Sequence, residues 1–185
     1  MNLSIERVCA EDLATAIDLF LREVYPGDPD GANQHFTEHA EGLADTFLAR
    51  VDGHLAGYLT IRWVSNNPIF SQHNIPLIKD LAVFPQFRRR GIASRLMDTA
   101  ERLIASRATR AGITVGLCDE YGPAQRLYAR RGYLPDGRGA CQGQRPLKLE
   151  EIVTVDHDLI IWRTRDLVPL EVLSPEESSN ACLRY

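Results

Sequence analysis

Asp80-Leu-Ala-Val-Phe-Pro-Gln-Phe-Arg-Arg-Arg-Gly-Ile-Ala-Ser94 decides the fold. An apolar strand ends at a proline turn, three arginines follow, and a helix opens at Gly91. The first N–H groups of a helix have no internal partner and stand at the positive end of its dipole, so this junction suits an anion such as phosphate or pyrophosphate. Gly91 and Ala93 keep side-chain bulk off the backbone, Ser94 adds a hydroxyl, and Arg88, Arg89 and Arg90 add charge. A solvated arginine run beside an ordinary turn is the competing reading. Neither GxxxxGK[ST] nor GxGxxG is present, so the junction is not the phosphate loop of those nucleotide-binding folds.

Downstream, Ile92, Leu96, Met97, Ala100, Leu103 and Ile104 form one apolar stripe on a helix expected over 91–111, which must pack on a sheet. Gly112 is expected to cap that helix, 113–118 reads as a short buried strand, and Pro123 opens a further helix that Gly132 stops. The Gly-rich stretch 136–143 reads as a loop, 158–164 as the last strand, and the chain from 174 as a polar tail. Upstream, 76–83 is a strand interrupted by Lys79 and Asp80, and 65–74 is a polar loop. Asp52-Gly53, between strands expected at 46–51 and 55–63, is a hairpin signal, because a two-residue turn needs positive φ. Residues 3–8 alternate as an edge strand, and 10–23 has helical spacing, with Leu13, Ile17, Phe20 and Leu21 on one side. A second short helix is expected over 34–43. This order predicts an α/β or α+β fold with a mixed sheet, a single domain over 1–167 and a tail over 168–185.

The 185 residues suffice to bury a core without disulfides or metal. A net charge of −4 disfavours a nucleic-acid partner bound through global basicity. No apolar run is long enough to span a bilayer and no signal peptide opens the chain, so a protein without a membrane partner is expected. Cys9, Cys118, Cys141 and Cys182 are scattered, as expected of free thiols in a reducing cytoplasm.

Arg88-Arg-Arg-Gly91-Ile-Ala93 matches [Q/R]-x-x-G-x-[G/A], and Ala124-Gln-Arg-Leu127-Tyr128-Ala-Arg-Arg-Gly132-Tyr133 matches A-x-x-L-Y-x-x-x-G-[F/Y]. With the strand Leu81-Ala-Val83 before the first motif and Leu96-Met97 after it, the chain resembles the GNAT N-acetyltransferase superfamily over all but its C-terminal tail. The resemblance implies the GNAT fold, a central mixed, mostly antiparallel twisted sheet with a splayed strand pair, flanked by helices. It also implies transfer of the acetyl group of acetyl-CoA, used as cosubstrate with no metal, to a primary amine.

In that family the backbone at Leu81, Ala82 and Val83 pairs with the pantetheine arm. Arg88, Arg89, Arg90, Gly91, Ile92, Ala93 and Ser94 then hold the pyrophosphate, and Tyr121 stands where an asparagine often contacts the cofactor. The chemistry needs a proton taken from the ammonium and one given to the leaving thiolate. Tyr128 stands where the family places the tyrosine that protonates sulfur; a core aromatic is its bland alternative. Many relatives carry a glutamate early on the cofactor strand, and Leu77 stands there. Asp80, the nearest carboxylate, is therefore the candidate base, with a water chain as the alternative.

A small-molecule amine is the expected acceptor, since one compact domain has no evident peptide-docking extension, and the last strand and tail offer surface for a homodimer. The rival from another class is a non-catalytic acyl-CoA-binding regulatory module, which the missing glutamate and asparagine favour. His35-Phe-Thr-Glu38-His39 fits the H-x-x-E-H pattern of zinc peptidases, but no third ligand can be identified and zinc is not expected. Asp28, Asp30, Glu38 and Glu41 read instead as an acidic rim attractive to a cationic amine, or as a solvated helix face.

Overall fold

Asp52 and Gly53 turn the chain with φ of 50° and 85°, the left-handed pair that a two-residue hairpin requires, and so join β2 (Ala44–Val51) to β3 (His54–Arg62). This is seen in a computed structural model that describes residues 2–24 and 26–168. Cys182 and nearly all of the expected tail lie outside the described residues. β1 (Leu3–Arg7) pairs with β2 at one edge of the sheet. Between them run α1 (Leu13–Glu23) and α2 (Pro29–Ala40). After β3 come α3 (Pro68–Gln72), β4 (Leu77–Val83), α4 (Ile92–Ala105), β5 (Arg110–Gly116) and α5 (Gly122–Arg130). β6 (Leu134–Gln142), β7 (Arg145–Pro146) and β8 (Leu159–Asp166) follow. The eight strands among the described residues form one sheet in the order β1-β2-β3-β4-β5-β8-β6-β7. Every pairing is antiparallel except β4 with β5.

Successive strand residues point to opposite faces, so the sheet carries buried clusters on both. On one face the α4 stripe of Ile92, Leu96, Met97, Ala100 and Ile104 meets Phe47, Leu59, Ile61, Ile78 and Ile113. Full burial of each large side chain there contributes roughly 1.5–3 kcal/mol. On the other face Phe20 of α1 and Phe36 of α2 pack with Leu48 and Tyr58. No helix among the described residues is long and apolar enough to cross a membrane.

Four expectations change. The helix expected over 91–111 stops at Ala105, because 110–116 is drawn into a ladder with β8 in which Ala111 faces Arg165 and Gly112 faces Thr164. Gly112 is thus no helix cap. It makes room for the Phe70 ring, which a Cβ at that position would meet at 2.1 Å. The 65–74 loop contains α3, capped by the Asn67 side chain accepting from the N–H groups of Ile69 and Phe70 and opened by Pro68. The second helix begins at Pro29 rather than 34, again with proline where its missing N–H costs nothing. The Gly-rich 136–143 stretch is mostly strand β6: Gly137 and Gly139, at φ of 95° and 73°, lie where its register with β8 shifts between Pro135 and Ala140.

Candidate active site

The centre of the sheet is interrupted where β4 and β5 part. Their parallel ladder holds only Leu77 with Gly112 and Ile78 with Ile113. The cause is local. Against β3, Tyr58 faces Ala82 but Thr60 faces Lys79, so Asp80 and Leu81 together oppose Leu59 in a bulge. Asp80 takes a left-handed φ of 56°, a conformation worth of order 1–2 kcal/mol in strain for most residues and best tolerated by Asp and Asn after Gly. The bulge turns the second half of β4, so residues 79–83 leave β5 and their edge on that side has no strand partner among the described residues. Leu81, Ala82 and Val83 lie along this edge.

The edge leads to α4. Arg89 and Gly91 have φ of 64° and 78°, which folds the arginine run into a tight corner before the helix. The first-turn N–H groups of Ile92, Ala93 and Ser94 have no acceptor among the described residues, and no side chain caps the helix. Arg88 donates from Nε to the Val83 carbonyl at 3.1 Å, and Arg90 lies over the Phe87 ring at 5.8 Å. None of the three arginines has a carboxylate partner among the described residues. Three uncompensated guanidinium groups beside open amides form a site that fits a diphosphate.

Across the gap stands α5. Tyr128 is buried against Tyr133, ring to ring at 6.1 Å, and burial, reinforced by Tyr121, pushes its phenol well above the ordinary tyrosine range. It therefore keeps its proton at neutral pH. Tyr121 lies flat on Gly116 at the end of β5, where a Cβ would meet its ring at 2.4 Å, and its hydroxyl shares a hydrogen bond of 3.0 Å with His157 Nδ1. Gln125 ties α5 to the same strand end through the Gly116 carbonyl at 2.8 Å.

The carboxylates divide sharply. Leu77 is buried among Phe70, Ile75, Cys141 and Trp162, so the early-strand position is an apolar contact with no room for a charge. Asp80 Oδ2 lies 3.3 Å from Lys79 Nζ and 3.8 Å from His35 Nδ1. Glu38 leaves the expected acidic rim, since Arg62 donates to it from Nε at 2.7 Å and holds it against β3. His35 is the residue that pattern reading missed as part of this arrangement, because its partners sit 25 and 45 positions away and no spacing rule links them. Among the described residues no three His, Cys, Asp or Glu side chains gather as a metal ion would require.

Comparison with solved structures finds the same architecture. An N-acetyltransferase from Staphylococcus aureus Mu50 superposes with a TM-score of 0.63 at 16% identity, over 90% of this chain and 99% of that one. RimL, a ribosomal L7/L12 alpha-N-protein acetyltransferase solved with coenzyme A, gives 0.61 at 15% identity over 90% and 95%. The GNAT-family acetyltransferase of Streptococcus pneumoniae gives 0.59 at 17% identity over 90% and 99%. No curated protein matches by sequence. The sequence model of the acetyltransferase (GNAT) family, however, matches residues 11–133, which hold both motifs, the parted strands and the open helix terminus, and the chain belongs to that family.

Proposed function

We propose that this acetyltransferase moves the acetyl group of acetyl-CoA to a primary amine of a small molecule, with Tyr128 protonating the departing sulfur. The observation that carries the reading is one continuous track. An unpaired strand edge at Leu81, Ala82 and Val83 runs directly into the unpaired amides of Ile92, Ala93 and Ser94, beneath three uncompensated arginines. A ligand with an amide-bearing arm and a diphosphate end satisfies both. Arg88, Arg89, Arg90 and Gly91 shape the diphosphate corner, and Tyr121 borders the arm on the β5 side.

Asp80 takes one proton from the ammonium and frees its lone pair, and the amine nitrogen attacks the thioester carbonyl carbon. The C–S bond breaks as the sulfur takes the Tyr128 proton, and the second proton shed by the nitrogen as the amide forms returns through water to the Tyr128 oxygen. Asp80 is half exposed, so the proton it takes can leave to solvent. A single domain over 1–167, cytoplasmic location and homodimer formation accompany this reading. Calorimetry with coenzyme A, followed by thiol release from acetyl-CoA across a panel of small amines, amino acids, aminoglycosides and N-terminal peptides, tests it. Binding with turnover on small amines is expected. Turnover confined to peptides overturns the substrate class, and absence of coenzyme A binding overturns the whole reading. Release with any amine excludes a non-catalytic acyl-CoA-binding module.

A further inference from the structure

The H-x-x-E-H residues of α2 diverge: Glu38 pairs with Arg62, the His39 ring nitrogens find no hydrogen-bond partner among the described residues, and His35 faces Asp80 of β4. His35 is buried on the α1–α2 face of the sheet between the Phe20 and Phe36 rings, at centroid distances of 4.6 and 4.9 Å. Its Nε2 lies 3.2 Å from Thr60 Oγ1, which is 3.1 Å from Thr46 Oγ1, both hydroxyls being fully buried. Its Nδ1 faces Asp80 Oδ2 at 3.8 Å, an ionic separation longer than a hydrogen bond. With the proton on Nδ1, the nitrogen that faces the carboxylate, Nε2 is left to accept from Thr60.

We propose that His35 is a positioning residue for acetyl transfer: its Nδ1–H steers the Asp80 carboxylate toward the gap between β4 and β5, where that carboxylate takes the proton of the acceptor's ammonium group. This rests on the acetyl-transfer reading above. The bulge gives the arrangement its purpose. Asp80 sits at the turn where β4 leaves β5, and an aspartate there has only two side-chain torsions, so one fixed neighbour suffices to aim it. Lys79 on the same strand approaches the same oxygen, and it alone would draw the carboxylate sideways. His35 opposes that pull from α2.

The ring does this without charge. Burial lowers its pKa from 6.5 to about 4, Asp80 and Glu38 working against that shift and Lys79 and His39 with it. A neutral donor orients a carboxylate yet leaves it anionic, as a proton acceptor must be.

Two isosteric changes separate steering from mere packing. In His35→Asn the amide nitrogen stands where Nδ1 stood and can still reach Asp80. In His35→Gln it stands near Nε2 and can only serve Thr60. With the acceptor amine varied, His35→Asn is expected to keep kcat within about threefold and His35→Gln to lose about tenfold or more, with the KM for acetyl-CoA unchanged in both. Equal losses, or a better Gln variant, mean that His35 only fastens α2 to β3, and the proposal falls while acetyl transfer stands. A parent enzyme that binds coenzyme A but turns over no amine overturns both. A readout independent of turnover is nitrogen NMR of the parent's His35 ring between pH 6 and 8. A neutral Nδ1–H tautomer is expected, and an Nε2–H tautomer or a charged ring overturns the steering role.

Discussion

Arg131 grips Glu101 with two hydrogen bonds, Nε to Oε1 at 2.9 Å and Nη2 to Oε2 at 2.7 Å, and so clamps the end of α5 to the middle of α4. The same buried carboxylate accepts from Arg165 of β8 at 2.6 Å and from the Tyr133 hydroxyl at 3.1 Å. One charge thus gathers three elements. Tyr133 also donates its N–H to the Tyr128 carbonyl at 3.0 Å, so the cluster reaches the proposed acid through the backbone. Glu101→Ala leaves Arg165 without its carboxylate and Arg131 with Asp98 alone, at 2.7 Å, and should cost about 1.5–3 kcal/mol. Urea unfolding at pH 7 measures it, and a loss below about 1 kcal/mol would show that the cluster is solvated.

Stability should carry a signature of His35 at mildly acid pH. Its folded pKa of about 4 lies below the unfolded value of 6.5, so the unfolded chain binds more protons between those limits. The stabilisation is complete above pH 6.5, falls as pH drops toward 4 and is flat below, in total about 3 kcal/mol. Protonating carboxylates act in an overlapping range, so the difference between the parent and His35→Asn isolates the histidine. Denaturant midpoints at pH 7, 5.5 and 4.5 should converge for the pair as pH falls. Parallel curves would place the ring in contact with water.

Much of this is legible in the sequence alone. The Asp52-Gly53 hairpin, the α4 stripe and the Gly91 corner are local features whose physics lies within a few residues, and they fold as their composition implies. What escaped reading is long-range. Residues 106–111 suit a helix locally, and only β8, more than 50 positions on, makes strand of 110 and 111. Glycines at 137 and 139 signal a loop and a bulged strand equally well until β8 supplies the partner. The same holds for the site. Arg88 to Ser94 carry the expectation of an anion site within seven consecutive residues, whereas the contact of His35 with Asp80 depends on how α2 lies across β3 and on an extra residue in β4.

Gly57 tests the close approach behind the bulge. A Cβ there would lie 2.4 Å from the Ala82 carbonyl oxygen and 3.1 Å from the Val83 Cα, both backbone atoms that cannot rotate away. Gly57→Ala must therefore move β3 from β4 at the Val83 end of the parted edge. About 2–3 kcal/mol of stability should be lost, with weaker coenzyme A binding in the same variant. Thermal melts with and without coenzyme A read both. An unchanged melting temperature would mean that the two strands separate there at little cost.

Gly91 holds the corner by backbone conformation alone, for a Cβ would meet nothing within 4 Å, yet its φ of 78° is one that side chains resist. Gly91→Val should strain the turn by about 1–3 kcal/mol and disorder the amides that follow. The expected result is at least a tenfold rise in the Kd of coenzyme A by calorimetry, with Gly91→Asn much milder because asparagine tolerates the left-handed region. Coenzyme A bound normally by Gly91→Val would move the diphosphate elsewhere.

Tyr128→Phe separates chemistry from binding. The ring is buried beside Tyr133, and its hydroxyl has no hydrogen-bond partner among the described residues, so phenylalanine keeps the packing and removes only the proton. The leaving thiolate would then depart without a donor. A general acid contributes about 10²–10⁴-fold, so kcat should fall by about a hundredfold or more while the Kd of coenzyme A stays within about twofold. Pre-equilibrium binding and steady-state turnover on the same preparation give both numbers. An undiminished kcat would leave Tyr128 as a core aromatic and hand the proton to solvent.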